Sequence, residues 1–437
     1  MPLDLLLPML YKLSMRFIAD LHIHSSYSRA TSKDMVPEAL WKWAQIKGIT
    51  VAGTGDFTHP AWLTELNEKT EPTGDGLLRL KREFEADDIP ASCRADVFFV
   101  LSSEISTIYS KNGRTRKVHS VIFVPQISDA LKLNLALSKI GNLNADGRPI
   151  LGLDAKELLR IVLDACPQAL FVPAHVWTPH FSVLGAVSGF DSLEECFEDL
   201  TPRIRAIETG LSSDPAMNWR LSALDRLTLV SNSDAHSPAK MGREANILDA
   251  DISYESIKKA IETGDGFLGT IEFFPEEGKY HYDGHRACGV NLAPGETIKN
   301  DYLCPACGKK VTVGVLHRVE KLADRAHGFK PDGAKPFHSL IPLPEIIAET
   351  HGTGVASKKV EREYLKLIYE LGNEFRILMD APLPDIERAG SPLIREAISR
   401  VRDGKVNIVP GFDGEYGKIR IFEVEERKQI KGQTMLF

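Results

Sequence analysis

Phe17-Ile18-Ala19-Asp20-Leu21-His22-Ile23-His24-Ser25 reads as a short apolar strand ending in two histidines two residues apart. Residues at i and i+2 of a strand point to the same side, so both imidazoles emerge together at its C-terminal end. Two imidazoles placed in this way suit one metal ion. The plain alternative is a half-exposed strand carrying two satisfied histidines. What the neighbouring strand ends carry decides between them.

Outward from this stretch, residues 1–272 alternate short apolar runs with helical or loop segments. The runs lie at 17–21, 49–53, 97–102, 118–124, 169–173, 204–207 and 227–231. Near-continuous apolar strands between amphipathic stretches predict an α/β fold with a parallel sheet under helices. Seven irregularly spaced units predict a distorted (β/α)7 barrel, whose functional groups sit at the C-terminal strand ends. Those ends carry His22 and His24, Asp56 with His59 nearby, Glu104, His175, Glu208, and Asp234 with His236. His119 opens its run instead of closing it. So many imidazoles and carboxylates in phase suit Zn²⁺, Mn²⁺ or Fe²⁺, and the absence of cysteine among them disfavours a purely structural zinc cage.

The chain has 437 residues, 43% of them hydrophobic and 26% charged, an ordinary balance for a folded protein of two or three domains. No apolar run has the length of a membrane span. Leu5-Leu6-Leu7-Pro8-Met9-Leu10 reads as an extension rather than a signal peptide, with Met15 as an alternative start, so a cytoplasmic location is expected. The net charge of −7 argues against a uniformly basic nucleic-acid binder, while leaving room for a local basic surface. Three of the six cysteines are scattered and three cluster, the pattern of a reducing compartment with one metal site.

That site falls in residues 273–325. His285-x-x-Cys288 is followed by Cys304-x-x-Cys307, two ligand pairs with the spacing of a structural zinc ribbon. His281 is the alternative to His285 as fourth ligand. Lys279, Arg286, Lys299, Lys309, Lys310, His317, Arg318 and Lys321 make the segment locally basic, which suits a phosphate backbone or simply a solvated face. Residues 326–424 turn mainly helical. Within them Gly352-Thr353-Gly354 precedes a helix carrying Lys358 and Lys359, a stretch suited either to presenting backbone N–H groups to a phosphate or to a plain helix-entry loop. A polar linker opens the tail, 425–437, which ends in Gln433-Thr434-Met435-Leu436-Phe437.

Taken in order, Asp20-Leu21-His22-Ile23-His24-Ser25, Glu104, His119, Pro173-Ala174-His175 and Ser233-Asp234-Ala235-His236 resemble the motif series of the PHP (polymerase and histidinol phosphatase) superfamily. The resemblance implies a barrel holding up to three divalent ions (Zn²⁺, Mn²⁺ or Mg²⁺) that hydrolyses phosphoesters. It assigns His22, His24, Glu104 and Asp234 to one ion, Glu104, His119 and His175 to a second, and Asp56 and His236 to a third. Asp234, Glu104 and His236 are then the residues expected to act in the reaction. The second motif departs from the family pattern: Thr54-Gly55-Asp56 stands where Thr-Asp-His is common.

With the zinc module and the helical region added, the order of parts resembles the endonuclease Q family. That implies DNA cleavage on the 5′ side of deaminated bases (uracil, hypoxanthine, xanthine) and abasic sites, after the nucleotide leaves the stack. Trp177, Phe181 and Tyr109 are candidates for the base pocket. The terminal Gln433, Leu436 and Phe437 resemble the peptide by which bacterial replication and repair proteins dock on the sliding clamp. Two rival readings are a histidinol-phosphatase-like enzyme acting on a small phosphomonoester and a non-catalytic clamp-associated DNA-binding protein. The zinc module, helical region and tail weigh against the first, and the retained rim residues against the second.

Overall fold

The computed structural model describes residues 15–423 and Glu426. The N-terminal extension and the Gln433–Phe437 peptide lie outside the described residues. The first strand, β1 (Met15–Asp20), shows why the opening stretch organises the chain. Phe17, Ala19 and Leu21 alternate onto one face and pack with Ile257, Ala260 and Ile261 of the helix Tyr254–Thr263. Burying a side chain the size of Phe17 or Leu21 is worth about 1.5–3 kcal/mol. The opposite face carries Asp20, His22 and His24, all buried in the interior. One period-2 pattern therefore builds both the outer layer and the inner site.

All seven expected runs form strands: β1, β2 (Val51–Gly53), then, after the short β3 (Thr70–Pro72) and β4 (Leu78–Leu80), β5 (Phe98–Lys111) and β6 (Arg114–Val124). Past β7 (Ile150–Leu151) come β8 (Leu170–Pro173), β9 (Ala206–Glu208) and β10 (Thr228–Val230). Two further strands, β11 (Ala245–Ala250) and β12 (Phe267–Glu272), complete this part. The sheet is mixed, not purely parallel. β1, β2 and β5 run parallel. β5 and β6 form a long antiparallel hairpin, β8 is antiparallel to β6, and β11 is antiparallel to β1. Asn112 (φ 53°) and Gly113 (φ 72°) turn the hairpin in the left-handed conformation such two-residue turns require.

β9 and β10 pair with each other between β8 and β1. On one side Val176 N–H donates to Glu208 O at 3.0 Å. On the other, Leu21 N–H donates to Asn232 Oδ1 at 2.8 Å, and Ser231 N–H to Asn246 Oδ1 at 3.0 Å. Side-chain amides thus take the place of ladder bonds as the sheet curls, which satisfies backbone groups that would otherwise be orphaned in the core.

β13 (Asp283–His285) and β14 (Val290–Leu292) form a hairpin that opens the cysteine segment. β15 (Phe337–Ser339) then adds to the sheet edge parallel to β12 and leads into four helices, Leu343–His351, Lys358–Leu371, Leu383–Ala389 and Pro392–Arg402. Leu383–Ala389 is entered through Pro382 and Pro384, which suit a first turn, whose N–H groups need no partner. A buried ion pair, Lys47 Nζ to Glu374 at 2.7 Å, ties these helices to the sheet region. Glu374 also accepts from Leu343 N–H and Tyr364 O–H, so its charge is fully engaged. The last hairpin, β16 (Asn407–Val409) with β17 (Lys418–Arg420), returns to the cysteine segment. Tyr282 N–H donates to Gly411 O, and Arg286 N–H and Thr312 Oγ1 donate to Asp413. Among the described residues no helix is long and apolar enough to cross a membrane.

Candidate metal centre

The strand ends converge. His22, His24 and Asp234 bring one donor atom each to within 4.8 Å of one another, and so do Glu104, His119 and His175. Glu104 stands between the two groups. Its Oε1 lies 2.6 Å from His119 Nδ1 and 3.0 Å from His175 Nε2, while Oε2 lies 3.4 Å from His24 Nε2 and 3.9 Å from His22 Nε2. His119 reaches this rim because β6 runs antiparallel, which puts its early residues beside the late residues of β5.

His22 Nε2, His24 Nε2 and Asp234 Oδ1 are buried without a hydrogen-bond partner. Such orphans are costly unless something else satisfies them. Each imidazole is aimed by its other nitrogen: His22 Nδ1 sits 3.0 Å from Glu208 Oε1, and His24 Nδ1 3.0 Å from Asp56 Oδ1. Ligating histidines are oriented in this manner by an outer carboxylate. Orphan donors converging on one point, in a set of nitrogens and carboxylate oxygens, fit a divalent cation.

Burial opposes charge on these groups, but their partners outweigh it. Glu208 raises the His22 imidazole to about 9, and the Asp56 carboxylate beside it lifts His24 well above its ordinary value. Against burial, the His119 ring holds Glu104 well below the usual carboxylate range, and His24 and His22 do the same for Asp234. Glu104 and Asp234 thereby favour their ionised forms, as a cation site needs. Left-handed backbone clusters here as well: Asp56 (φ 53°), His175 (φ 29°), Phe181 (φ 60°) and Asp234 (φ 47°) all lie around the rim. Backbone strain of this kind gathers at functional sites.

Several expected residues take other parts. Asp56 serves here as the carboxylate that aims His24. Both its oxygens are occupied, Oδ1 by His24 and Oδ2 by Ser25 N–H (2.7 Å), Ser25 Oγ (2.6 Å) and Ser28 Oγ (2.9 Å). Among the described residues no third group of donors pairs it with His236. His236 instead lies at the partly open edge, its Nδ1 2.8 Å from Asp234 O. His59 packs its ring against Tyr27, with centroids 4.5 Å apart, and joins neither group. Trp177 is a core residue bonded to Asn218, and the Tyr109 hydroxyl points at Cys196; only Phe181 stands at the rim, 4.6 Å from the His119 ring.

The other cluster is also assembled: His285, Cys288, Cys304 and Cys307 offer donors within 4.8 Å of one another, and His281 is not among them. Burial opposes ionisation of Cys304, but N–H groups of Ala306 and Cys307 bring its thiol down to about 7. Lys309 and Lys310 are exposed beside it, and so are Lys358 and Lys359 at their helix start; among the described residues none of the four is ion-paired. His317 and Arg318 are internal: the first bonds Asp283 and the second bonds Leu184 O, Phe190 O and Asp191. Gly352 does not offer its N–H to a phosphate. It caps Leu343–His351 in the left-handed conformation (φ 67°), with its N–H bonded within that helix. Gly354 remains open.

The lesion-specific endonuclease PfuEndoQ from Pyrococcus furiosus has a crystal structure similar to this chain, with a TM-score of 0.81 and 32% identity over 95% of this chain and 99% of that one. The chain belongs to the endonuclease Q family. A second solved structure, endonuclease Q with a 27-mer duplex substrate carrying an abasic lesion at the active site, matches with a TM-score of 0.79 at 32% identity, covering 94% of this chain and 97% of that one. The uncharacterised protein YqxK of Bacillus subtilis is 29% identical over 93% of this chain and 99% of its own length. The uncharacterised protein MJ0043 of Methanocaldococcus jannaschii is 35% identical over 53% of this chain, which spans only 30% of that protein. Residues 342–405, which contain all four of these helices, match the family described as the MJ0043 C-terminal domain.

Two further residues touch the ligand groups: Glu208, legible as a strand-end carboxylate, and Arg148, which carries no sequence signal of its role. Glu208 accepts from His175 N–H (2.9 Å) and Asn232 Nδ2 (2.8 Å) while orienting His22. Arg148 donates to Glu104 Oε2 at 3.1 Å.

Proposed function

We propose that this chain is a DNA repair endonuclease that hydrolyses the phosphodiester on the 5′ side of deaminated bases (uracil, hypoxanthine, xanthine) and abasic sites. The observation that carries this reading is Glu104 standing between two donor groups, His22, His24 and Asp234 on one side and His119 and His175 on the other. Residues 1–272 are read as a PHP barrel, 273–325 as a zinc-binding module, 326–424 as a helical region and 425–437 as a tail. The first group with Glu104 would hold one divalent ion, and Glu104, His119 and His175 a second, whether Zn²⁺, Mn²⁺ or Mg²⁺. Such ions, when bound, supply Lewis-acid stabilisation of the charge on the phosphoryl and departing oxygens. His285, Cys288, Cys304 and Cys307 would hold one structural Zn²⁺.

Hydrolysis joins the oxygen of water to phosphorus and breaks the P–O3′ bond, leaving a 3′-hydroxyl and a 5′-phosphate on the lesion nucleotide. The proton of that water must reach the departing oxygen. His236 suits the transfer, with Nδ1 tied to a carbonyl and its ring at the open edge. Lys309, Lys310, Lys358, Lys359 and the open Gly354 are read as contacts to the DNA backbone. Deaminated bases share a –C(=O)–NH– edge, so one donor and one acceptor in a pocket would accept all three and leave polar groups unpaired against normal bases.

Incubation with duplexes carrying one hypoxanthine, uracil or abasic site, in Mn²⁺ or Mg²⁺, is expected to give a single cut 5′ of the lesion. Undamaged DNA should stay whole, and EDTA should stop the reaction. Equal cutting of undamaged DNA would leave a general nuclease. The terminal Gln433, Leu436 and Phe437 support a second contact, with a sliding clamp, through two apolar anchors on a tether. Deleting 433–437 should abolish co-purification with a bacterial clamp while leaving cleavage of short duplexes unchanged. Clamp binding that survives the deletion defeats this contact.

A further inference from the structure

Arg148 lies on the loop between the helix Ile127–Leu137 and β7, far in sequence from every strand end that supplies a donor. The loop is pressed onto the site by its glycine. Gly147 N–H donates to Tyr27 O at 3.0 Å, and Thr58 Oγ1 donates to Gly147 O at 3.3 Å. A Cβ on Gly147 would stand 2.3 Å from Asp56 Oδ2 and 2.5 Å from Ser28 Oγ, so no larger residue fits against the carboxylate that aims His24. Asp146 Oδ1 accepts from Arg148 N–H at 3.1 Å and closes the turn. The loop therefore delivers the next side chain to the centre in a fixed place.

The Arg148 side chain is 26% exposed, and its Nη1 donates to Glu104 Oε2 at 3.1 Å. Among the described residues no other lysine or arginine bonds a member of either donor group. A guanidinium carries five N–H donors in a rigid fork that matches carboxylate or phosphate oxygens. One donor is spent on Glu104, and the rest have no protein partner among the described residues. A fixed cation beside a carboxylate that would also bind divalent ions is repelled by those ions, unless an anion lies between them. A phosphodiester is such an anion, and charge-assisted bonds to it are the strong kind.

We propose that Arg148 binds a non-bridging oxygen of the scissile phosphate and holds the diester against the two donor groups. This rests on the phosphoesterase reading of the centre. Arg148 is thereby a phosphate-binding residue, distinct from one that merely steadies Glu104.

Calorimetry with inorganic phosphate, on full-length protein loaded with Mn²⁺, separates the two roles. Arg148→Ala is expected to weaken phosphate binding by about tenfold or more, with Arg148→Lys between it and wild type. The Mn²⁺ content of all three proteins should match. In single turnover, Arg148→Ala should slow hydrolysis of bis(4-nitrophenyl) phosphate and of a lesion duplex alike, by about 100-fold. Wild-type phosphate affinity in Arg148→Ala overturns the proposal. So does a loss of Mn²⁺ that excess metal reverses together with phosphate binding, because that is the signature of a residue holding Glu104. If wild type binds no phosphate and cuts neither substrate, the proposal and the phosphoesterase reading fail together. If it cuts the small diester in an Arg148-dependent way but not the lesion duplex, the lesion assignment alone fails.

Discussion

Replacing Asp234 with asparagine is expected to leave the protein folded and to remove its cleavage activity. Asp234 sits at φ 47°, a left-handed conformation that Asn shares with Asp at little cost. Alanine there would add roughly 1–2 kcal/mol of backbone strain, so Asp234→Asn isolates the chemistry and Asp234→Ala serves as its confirmation. The substitution removes the charge of a carboxylate that faces both orphaned imidazole nitrogens, 3.0 Å from His24 Nε2 and 3.7 Å from His22 Nε2. Transition-state stabilisation by a bound metal is worth several kcal/mol, so its loss corresponds to a fall of about 10³-fold in the rate of cleavage. Elemental analysis should find less metal per chain, while circular dichroism and the melting temperature stay near wild type. Full activity with wild-type metal content in Asp234→Asn would remove Asp234 from the ligand set.

The residues of this centre were legible to different degrees, for physical reasons. The seven strands could be read because they are buried on both faces and so lose the polar alternation of surface strands. Strand direction was not legible from composition, and that is why His119 stood at the wrong end of its run. The signal was there in Asn112-Gly113, a turn dipeptide between two apolar runs, which makes the second run antiparallel and carries His119 to the rim. Asp56 and Asp234 look alike as carboxylates at strand ends. What separates them is that Asp56 meets the hydroxyls of Ser25 and Ser28 and is used up by them, while Asp234 Oδ1 is left unpaired. Only tertiary contact distinguishes the two. Arg148 sits in a loop without periodicity, and its place depends on a contact between Gly147 and a carboxylate 91 positions earlier in the chain.

The cysteine cluster gives the other large expected effect, on stability instead of rate. Cys304→Ser should unfold the segment between β13 and the strand-like return at Thr312, and leave the sheet region standing. The segment's own apolar core consists of Leu292, Cys304 and Val311, with Val290 packed on it. At roughly 1.5–3 kcal/mol for each large buried side chain, that core offers about 10 kcal/mol at most. Beside the hydrogen bonds to Asp413 and Gly411, a metal held by the cluster would add folding free energy to a segment whose own core is this small. Cys304 is the cysteine of the set that is buried, so a serine in its place also loses packing. The expected result is less than one zinc per chain at this cluster, rapid hydrogen exchange and proteolysis confined to 283–312, and a main melting transition close to wild type. DNA affinity should fall with it, since Lys309 and Lys310 are carried on this segment. Retention of zinc, with protection of 283–312 at wild-type levels, would mean that the fold of the segment does not depend on the cluster.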